Sequence, residues 1–263
     1  MKKVVYFGLI IGLAALLVAG CSSSSSTTAT KTLNDVSAKS YAEIGTTLAQ
    51  DITGSMGSWA SSGSVSGVTG LNAKGLRASS VDVTEEASGW THITGEVTSV
   101  VTVGATAYTT TYSINLFGKV VTDEAGKVTS VSVYGSYSYS TSGGGSTIAY
   151  SETFGNGVAA PYVGTASYSG ATLNGITCAG AIKFDIAVAS AAEGSHTVAM
   201  TFTLTSFSVP IRAGLEDYPT GTITIATTYD GAAQPNIVLT FTGIATATIT
   251  YGDYTSTFLV GAS

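Results

Sequence analysis

From Trp90 to near the end of the chain, apolar side chains recur at every second residue. In residues 176–188, Ile, Cys, Gly, Phe and Val occupy the even positions, and Thr, Ala, Lys and Asp occupy the odd ones. Residues 197–205 and 237–251 alternate in the same way, with Thr on the polar side. A repeat of two is the period of a β-strand. One apolar and one hydroxyl-rich face indicate antiparallel strands that are buried on one side.

Turn-forming residues separate the alternating runs. Segments 123–126, 142–145 and 192–195 and the pair Asp230-Gly231 predict hairpin loops, because Gly and Asp tolerate the backbone conformations of tight turns. We predict nine or ten strands, at about 90–103, 106–121, 127–140, 147–155, 162–169, 175–190, 196–211, 221–230, 236–251 and 254–260. The short connections predict a meander. The apolar face changes parity between residues 204 and 207, which predicts a β-bulge.

These strands predict a mainly β domain. Nine or ten twisted antiparallel strands with one apolar face tend to curl or to close on themselves. We therefore expect an antiparallel meander that forms a strongly curved sheet or a barrel, with the apolar side inward. A two-sheet sandwich is the competing architecture.

The region before the strands follows a different pattern. In residues 32–56 apolar side chains recur mostly at steps of three and four, which predicts one N-terminal amphipathic helix. We expect this helix to pack on the sheet or to cover it as a lid. Residues 57–89 are rich in Gly and Ser and predict a long loop with one or two short strands. Residues 32–263 then form a single β-rich domain with its sheet over residues 90–260.

The first 21 residues carry a targeting pattern. Lys2 and Lys3 precede a mainly apolar run over residues 4–18, and the small residues Ala19 and Gly20 precede Cys21. The run has the length of a signal-peptide core and is short for a transmembrane helix. The segment resembles the signal peptide and lipobox of bacterial lipoproteins, in which the Cys thiol receives a diacylglycerol and becomes the mature N-terminus. The resemblance covers residues 1–21 alone, and the rest of the chain shows no family motif.

The resemblance implies a signal peptide over residues 1–20 and a lipid on Cys21. Residues 21–31 would then be the lipidated Cys and a Ser/Thr tether that holds the domain near the lipid headgroups. Ser22, where Asp would favour retention at the inner membrane, implies the outer membrane of the cell envelope. With Cys21 acylated, Cys178 has no disulfide partner, and we expect it to be a small buried side chain.

The composition limits the classes of partner. Charged residues make up 10% of the 263-residue chain, against about 25% in an average soluble domain. The formal net charge is −6. The chain therefore lacks the excess of Lys and Arg that proteins use to bind the phosphates of nucleic acids. The expected partners are the membrane, through the anchor, and an unknown protein or lipid ligand.

No pattern of catalytic or metal-binding residues emerges. The chain has two His, His92 and His196, and neither falls in a nucleophile motif or at the spacing of a zinc site. His92 and Glu96 share the polar face of the first long strand. Residues 155–160 fit a dinucleotide-binding pattern but lack the helix that must follow it, so they predict a loop. We therefore predict no enzyme activity, no cofactor and no metal.

Two acidic pairs fall in predicted turns. Asp123-Glu124 and Glu216-Asp217 lack the register of a calcium-binding loop. The simpler interpretation is that these carboxylates are solvent-exposed turn residues, and weak calcium binding is the alternative.

Glu152 is the residue that breaks the pattern. It falls in register with Ile148, Tyr150 and Phe154 and should therefore point to the apolar face. A carboxylate there is costly and its pKa should rise. Glu152 and Tyr150 are thus candidates for a ligand cavity, and a charge at a strand end or sheet edge that blocks aggregation is the alternative. Nearby tyrosines could line the same cavity or simply pack in the core; they are Tyr108, Tyr112, Tyr134, Tyr137, Tyr139 and Tyr150.

Three functional hypotheses follow from these features. The first is a lipid-anchored, non-enzymatic cell-envelope protein that binds an apolar or amphipathic ligand or scaffolds a partner. The second is a surface adhesion or interaction module, because the surface is polar but weakly ionic. The third is a membrane-embedded β-barrel whose apolar face points to lipid.

Overall fold

The computed structural model describes residues 81–191, 194–210 and 218–260, and this part of the chain is all β. It contains no helix long and apolar enough to cross a membrane. Its strands are β1 (Val81–Glu85), β2 (Thr91–Val103), β3 (Thr106–Thr122), β4 (Val128–Gly143), β5 (Ser146–Phe154), β6 (Tyr162–Ser169), β7 (Thr172–Ser190), β8 (Gly194–Pro210), β9 (Thr220–Tyr229), β10 (Ala232–Ala233), β11 (Ile237–Thr242), β12 (Thr246–Tyr251) and β13 (Tyr254–Leu259). The mainly β prediction is confirmed.

All thirteen strands belong to one antiparallel sheet. Its order is β1-β2-β3-β4-β5-β7-β8-β9-β11-β12-β13, and β10 adds a short pairing to β9. β6 pairs with β4 and β7, on the same sides as β5. β5 and β6 therefore share one position in the sheet, and residues 155–161 loop out between them. Apart from this interruption, the predicted meander is what the chain forms.

One face of the sheet carries the core. The alternating apolar residues on β2 to β12 pair with each other in register, so they lie on the same face. The largest fully buried side chains on this face are Phe207, Ile93, Leu116, Ile176, Ile182, Ile223, Leu239, Ile249 and Val133. The opposite face, which we call the outer face, carries mainly Thr and Ser. Burial of about 25 cal/mol per Å² of apolar surface along this face is the main stabilising contribution.

The predicted number of strands is too low. Nine or ten strands are expected over residues 90–260, and twelve, β2 to β13, are present there. β1 is one of the short strands expected in the 57–89 segment, whereas the two-residue β10 is not predicted. The expected strand over residues 236–251 is two strands, β11 and β12, joined by a turn at Gly243.

The predicted bulge between residues 204 and 207 is confirmed. The pairing of β8 with β9 shifts between Thr205 and Ser208, and Ser206 has a φ of 48°. The bulge faces Gly221 on β9, which has a φ of 104°. A Cβ on Gly221 would clash with the Ser206 carbonyl oxygen and would come within 2.7 Å of the Phe207 Cα. The two backbones are thus closer at this bend than a side chain would permit.

Several predictions concern residues outside the described ranges. They are the signal peptide over 1–20, lipidation of Cys21, the tether over 21–31, the helix over 32–56, most of the 57–89 loop and the Glu216-Asp217 turn.

Candidate functional site

The apolar face becomes more exposed towards the turns that join β2 to β3, β4 to β5 and β7 to β8. Ile93, Leu116 and Ile182 lie in one register row and are almost fully buried. Two rows nearer the turns lies the tyrosine row, which we define as Val97, Tyr112, Tyr139, Tyr150, Ile186, Val198 and Tyr229. Its first four side chains are half-buried. The tyrosine row is therefore the rim of the core.

The rings of the tyrosine row contact each other across the strands. The centroids of Tyr112 and Tyr139 are 6.0 Å apart, and those of Tyr139 and Tyr150 are 5.4 Å apart with their planes inclined by 30°. Tyr150 continues the series to Phe184 at 6.3 Å. Such offset contacts are favourable between aromatic rings. They create a continuous aromatic strip that carries hydroxyl groups.

A carboxylate lies between the tyrosine row and the buried row. Glu152 pairs directly with Tyr137 on β4 and with Phe184 on β7. Directly paired residues of an antiparallel sheet have Cβ atoms about 5 Å apart. Met200 and Thr227 follow in the same row, and Thr227 is the buried polar residue of the described core. Glu152 is thus the one carboxylate in a mainly apolar row.

The surroundings of Glu152 favour its neutral form. The side chain is half-buried, and burial raises the pKa of the carboxyl group from 4.5 to about 7. A hydrogen bond of 3.4 Å, donated by the Tyr150 hydroxyl to Oε2, lowers the pKa and offsets part of this rise. Near pH 7 the carboxyl group therefore exchanges readily between its two protonation states.

The hydroxyl groups of Tyr137, Tyr139 and Tyr150, which with Glu152 form the tyrosine–Glu152 cluster, remain protonated. Burial raises the pKa of Tyr137, Tyr139 and Tyr150, and for Tyr150 the nearby Glu152 carboxylate raises it further. Protonated phenols donate hydrogen bonds, and Tyr150 is already directed at Glu152. The cluster therefore combines hydroxyl donors with a single acidic acceptor.

The sequence correctly places Tyr150 and Glu152 together on the apolar face. Glu152 is not at a sheet edge, because β5 is paired at this residue on both sides; it lies two residues before the end of the strand. Tyr108 lies on the same face but nearer the β2–β3 turn, where it is exposed. Tyr134 does not belong to the cluster, because it lies on the opposite face.

The outer face carries an aromatic stack that the sequence reasoning missed. His92, Phe117 and Tyr134 are paired on adjacent strands, with centroid distances of 4.0 Å and 4.6 Å and nearly parallel rings. Trp90 meets Tyr134 edge to face at 4.8 Å. His92 also hydrogen-bonds to the Asn115 side chain at 2.8 Å. Since the rings cover each other's faces, this stack is a packing feature.

His196 lies on the apolar face, at the beginning of β8. Its Nδ1 atom is 2.8 Å from Oδ2 of Asp230 and 3.1 Å from the Tyr229 hydroxyl. The hydrogen bond from His196, together with one from the backbone N–H of Thr197, lowers the pKa of Asp230. This contact anchors the tight turn at residues 230–231. The sequence offered no signal for it, because the two residues are 34 positions apart.

The two His do not meet. His92 is on the outer face of β2 and His196 on the apolar face of β8, with four strands between them in the sheet order. Within the described ranges, no three His, Cys, Asp or Glu side chains are grouped closely enough to hold a metal ion.

Two further predictions concern loops. Residues 155–160 form a loop, closed by a backbone hydrogen bond of 2.7 Å from Asn156 to Ala160. Asp123 lies in a turn, where its carboxylate accepts hydrogen bonds from the backbone N–H groups of Ala125 and Lys127. Both are explained by local backbone geometry.

Comparison of the chain with models of protein families, with curated proteins and with solved structures finds no significant match. Function must therefore be argued from the geometry of the tyrosine row and Glu152.

Proposed function

We propose that this chain is a lipid-anchored, non-enzymatic protein of the cell envelope that binds an apolar or amphipathic ligand at the rim of its core. One observation carries the proposal. The buried apolar face changes, at the tyrosine row, into half-exposed aromatic rings with phenol groups and one carboxylate. Ligand sites are largely apolar and carry a few polar groups that orient the ligand.

We also propose that the sheet is strongly curved or closed, with its apolar face inward. Apolar side chains on β2 to β12 are almost fully buried on the same face of one sheet, and curvature would bring distant strands together over that face. The bulge at Ser206 and the positive-φ glycines Gly135, Gly180 and Gly221 support bending, because such positions bend strands in β-barrels and curved sheets. The rim is then the entrance.

The proposed membrane anchor is a lipid on Cys21. A diacylglycerol on this residue, with its two acyl chains, would hold the domain stably at a membrane, whereas a single chain binds only marginally. The short tether over residues 22–30 would keep the rim within reach of lipid headgroups. Ser22 favours the outer membrane as the final location.

Native mass spectrometry of the protein purified from its host's membranes tests both parts. The N-terminal peptide should begin at Cys21 and carry the mass of a diacylglycerol, and Cys21→Ser should abolish this mass. Folded protein should carry an additional non-covalent mass of an amphiphile. A ligand-free protein that also fails to take up added amphiphiles would refute the binding function and leave a scaffold role.

A second candidate is an interaction module, and the β2–β3 hairpin favours it. Val100, Val101 and Val103 are each about 60% exposed at its tip, with Tyr108 beside them. Val100 lies on one face and Val101 on the other, so both faces of the tip are apolar. If cross-linking from this tip in intact cells captures one protein, and Val101→Ser abolishes the capture, the interaction role is supported.

The membrane-embedded barrel is the least favoured alternative. In that arrangement the apolar face would point outward to lipid. Ile93, Leu116 and Leu239 are instead buried by the protein itself. A chain that stays soluble without detergent once residues 1–21 are removed would exclude the embedded barrel.

A further inference from the structure

Glu152 has no basic partner in the part of the chain that the structure describes. Among the described residues, no Lys, Arg or His nitrogen forms an ion pair with its carboxylate; the ion pairs there involve Glu86, Asp185 and Asp230. The titratable groups that face it from β4 and β5 are the phenols of Tyr137, Tyr139 and Tyr150. On β7, Lys183 and Asp185 pair with each other on the opposite face of the sheet. Within the described ranges, no basic group therefore compensates a negative charge at this position.

Three aromatic residues are neighbours of Glu152 in the sheet. Tyr137 and Phe184 are its direct partners across the strands, and Tyr150 stands two residues before it on β5. The stacked pair of Tyr139 and Tyr150 extends the aromatic surface along the rim. A carboxylate close to aromatic residues is the chemistry that recognises organic ammonium groups, because these groups bind aromatic faces by cation–π attraction.

We infer that Glu152, Tyr137, Tyr139, Tyr150 and Phe184 form a binding site for the ammonium headgroup of a cationic amphiphile, whose hydrocarbon tail lies along the half-exposed side chains of the tyrosine row. This inference rests on the proposed function and specifies its ligand class. An ammonium group compensates the carboxylate in a partly desolvated position, where the pairing is stronger than in water. An anionic headgroup is repelled at the same place, and a neutral one gains only the apolar contact.

The test compares three soluble probes of equal chain length. They are hexyltrimethylammonium, hexanol and hexyl sulfate, titrated by calorimetry into the full-length protein in a nonionic detergent. The wild-type protein should prefer the ammonium probe over hexanol by about tenfold, equivalent to about 1.4 kcal/mol. Glu152→Gln should reduce this preference to about twofold or less while leaving the binding of hexanol unchanged. Circular dichroism confirms that the variant is folded.

Asp185→Asn is the matched control, because it removes one negative charge from the neighbouring strand on the outer face. This control should keep the full preference for the ammonium probe.

A second readout is proton release. At pH 6.5, burial keeps much of Glu152 protonated because it raises the pKa to about 7, so ammonium binding should expel protons. The binding heat should then depend on the ionisation heat of the buffer in wild-type protein and in Asp185→Asn, but not in Glu152→Gln.

The outcomes separate the two proposals. Equal binding of the three probes, or a preference for hexyl sulfate, overturns the ammonium site but leaves an apolar binding function. Binding of none of the probes overturns both. An ammonium preference that persists in Glu152→Gln, or that disappears in Asp185→Asn, also overturns the assignment to Glu152.

Discussion

The hydroxyl group of Tyr150 donates a hydrogen bond of 3.4 Å to the carboxylate of Glu152, two residues further along the same strand. The two side chains share a face because the period of a strand is two. Their interaction opposes the effect of burial. Burial raises the pKa of Glu152 to about 7, and the phenol holds it below the value that burial alone would give. This opposition gives the site a measurable pH response.

The first prediction concerns stability against pH. Because the folded pKa of Glu152 is about 7 and its ordinary value is 4.5, the folded state holds a proton between these pH values that the unfolded state has lost. The contribution of this group to the free energy of unfolding is therefore greatest below pH 4.5 and falls as the pH rises to about 7. We expect a loss of about 2–3 kcal/mol for this half-buried group.

Urea unfolding between pH 4 and 8 measures this loss as the difference between wild-type protein and Glu152→Gln. The variant lacks the titration, so its relative stability should increase towards pH 8. Asp185→Asn leaves the core unchanged and should retain the decline seen in wild-type protein. Parallel stability curves for wild type and Glu152→Gln would contradict the assigned pKa.

The second prediction isolates the hydrogen bond. Tyr150→Phe keeps the ring and its contact with Tyr139 but removes the hydroxyl donor. The pKa of Glu152 should therefore rise above its wild-type value of about 7. Carboxyl-carbon NMR titration of protein labelled at Glu measures the midpoint directly. An unchanged midpoint would mean that burial alone sets the pKa.

Much of this site could be predicted from alternation alone. Glu152 was correctly placed on the apolar face because Ile148, Tyr150 and Phe154 share its parity. Tyr134 was misassigned to the cluster, although its even number differs in parity from Tyr137 and Tyr139 on the same strand. What alternation does not reveal is which strands are neighbours, and the partners of Glu152 on β4 and β7 depend on those neighbours.

The missed turn between β11 and β12 has a geometric explanation. Phe241 pairs with Ala247, and Leu239 with Ile249, so the hairpin is symmetric about residue 244. Residues at equal distances from its centre have the same parity, and the alternating pattern therefore continues through the turn unbroken. Gly243, with a φ of 79°, was the remaining signal. A bulge behaves oppositely, because it changes parity, and the one near Ser206 was predicted correctly.

The third prediction concerns the bend at Gly221. Phe207 and Phe241 contact edge to face at 5.2 Å from the strands on either side of this glycine. Gly221→Ala would place a methyl group against the backbone of residues 206 and 207 in a conformation that L-residues rarely adopt. We expect a loss of at least about 2 kcal/mol in the free energy of unfolding.

Gly157→Ala provides the control for backbone strain. Gly157 also has a positive φ, of 74°, but no atom lies within 4 Å of its added Cβ. This variant should lose only about 1 kcal/mol. Urea unfolding at one pH compares the two variants. Equal losses would show that the conformation of Gly221, and not close backbone approach, sets the cost.

The fourth prediction concerns the buried thiol. Cys178 is fully buried, and burial raises the pKa of its thiol to about 11. The reactive species towards alkylating reagents is the thiolate, so both access and ionisation are unfavourable in the folded protein. Iodoacetamide at pH 8 should leave Cys178 unmodified in native protein and modify it fully in urea, as peptide mass spectrometry can measure.

Gly180→Ala should increase the labelling of Cys178 in native protein, since the added Cβ would come within 2.9 Å of the Tyr162 Cα and disturb the ring that lies beside the thiol. Rapid modification of the native wild-type protein would contradict the burial of this thiol.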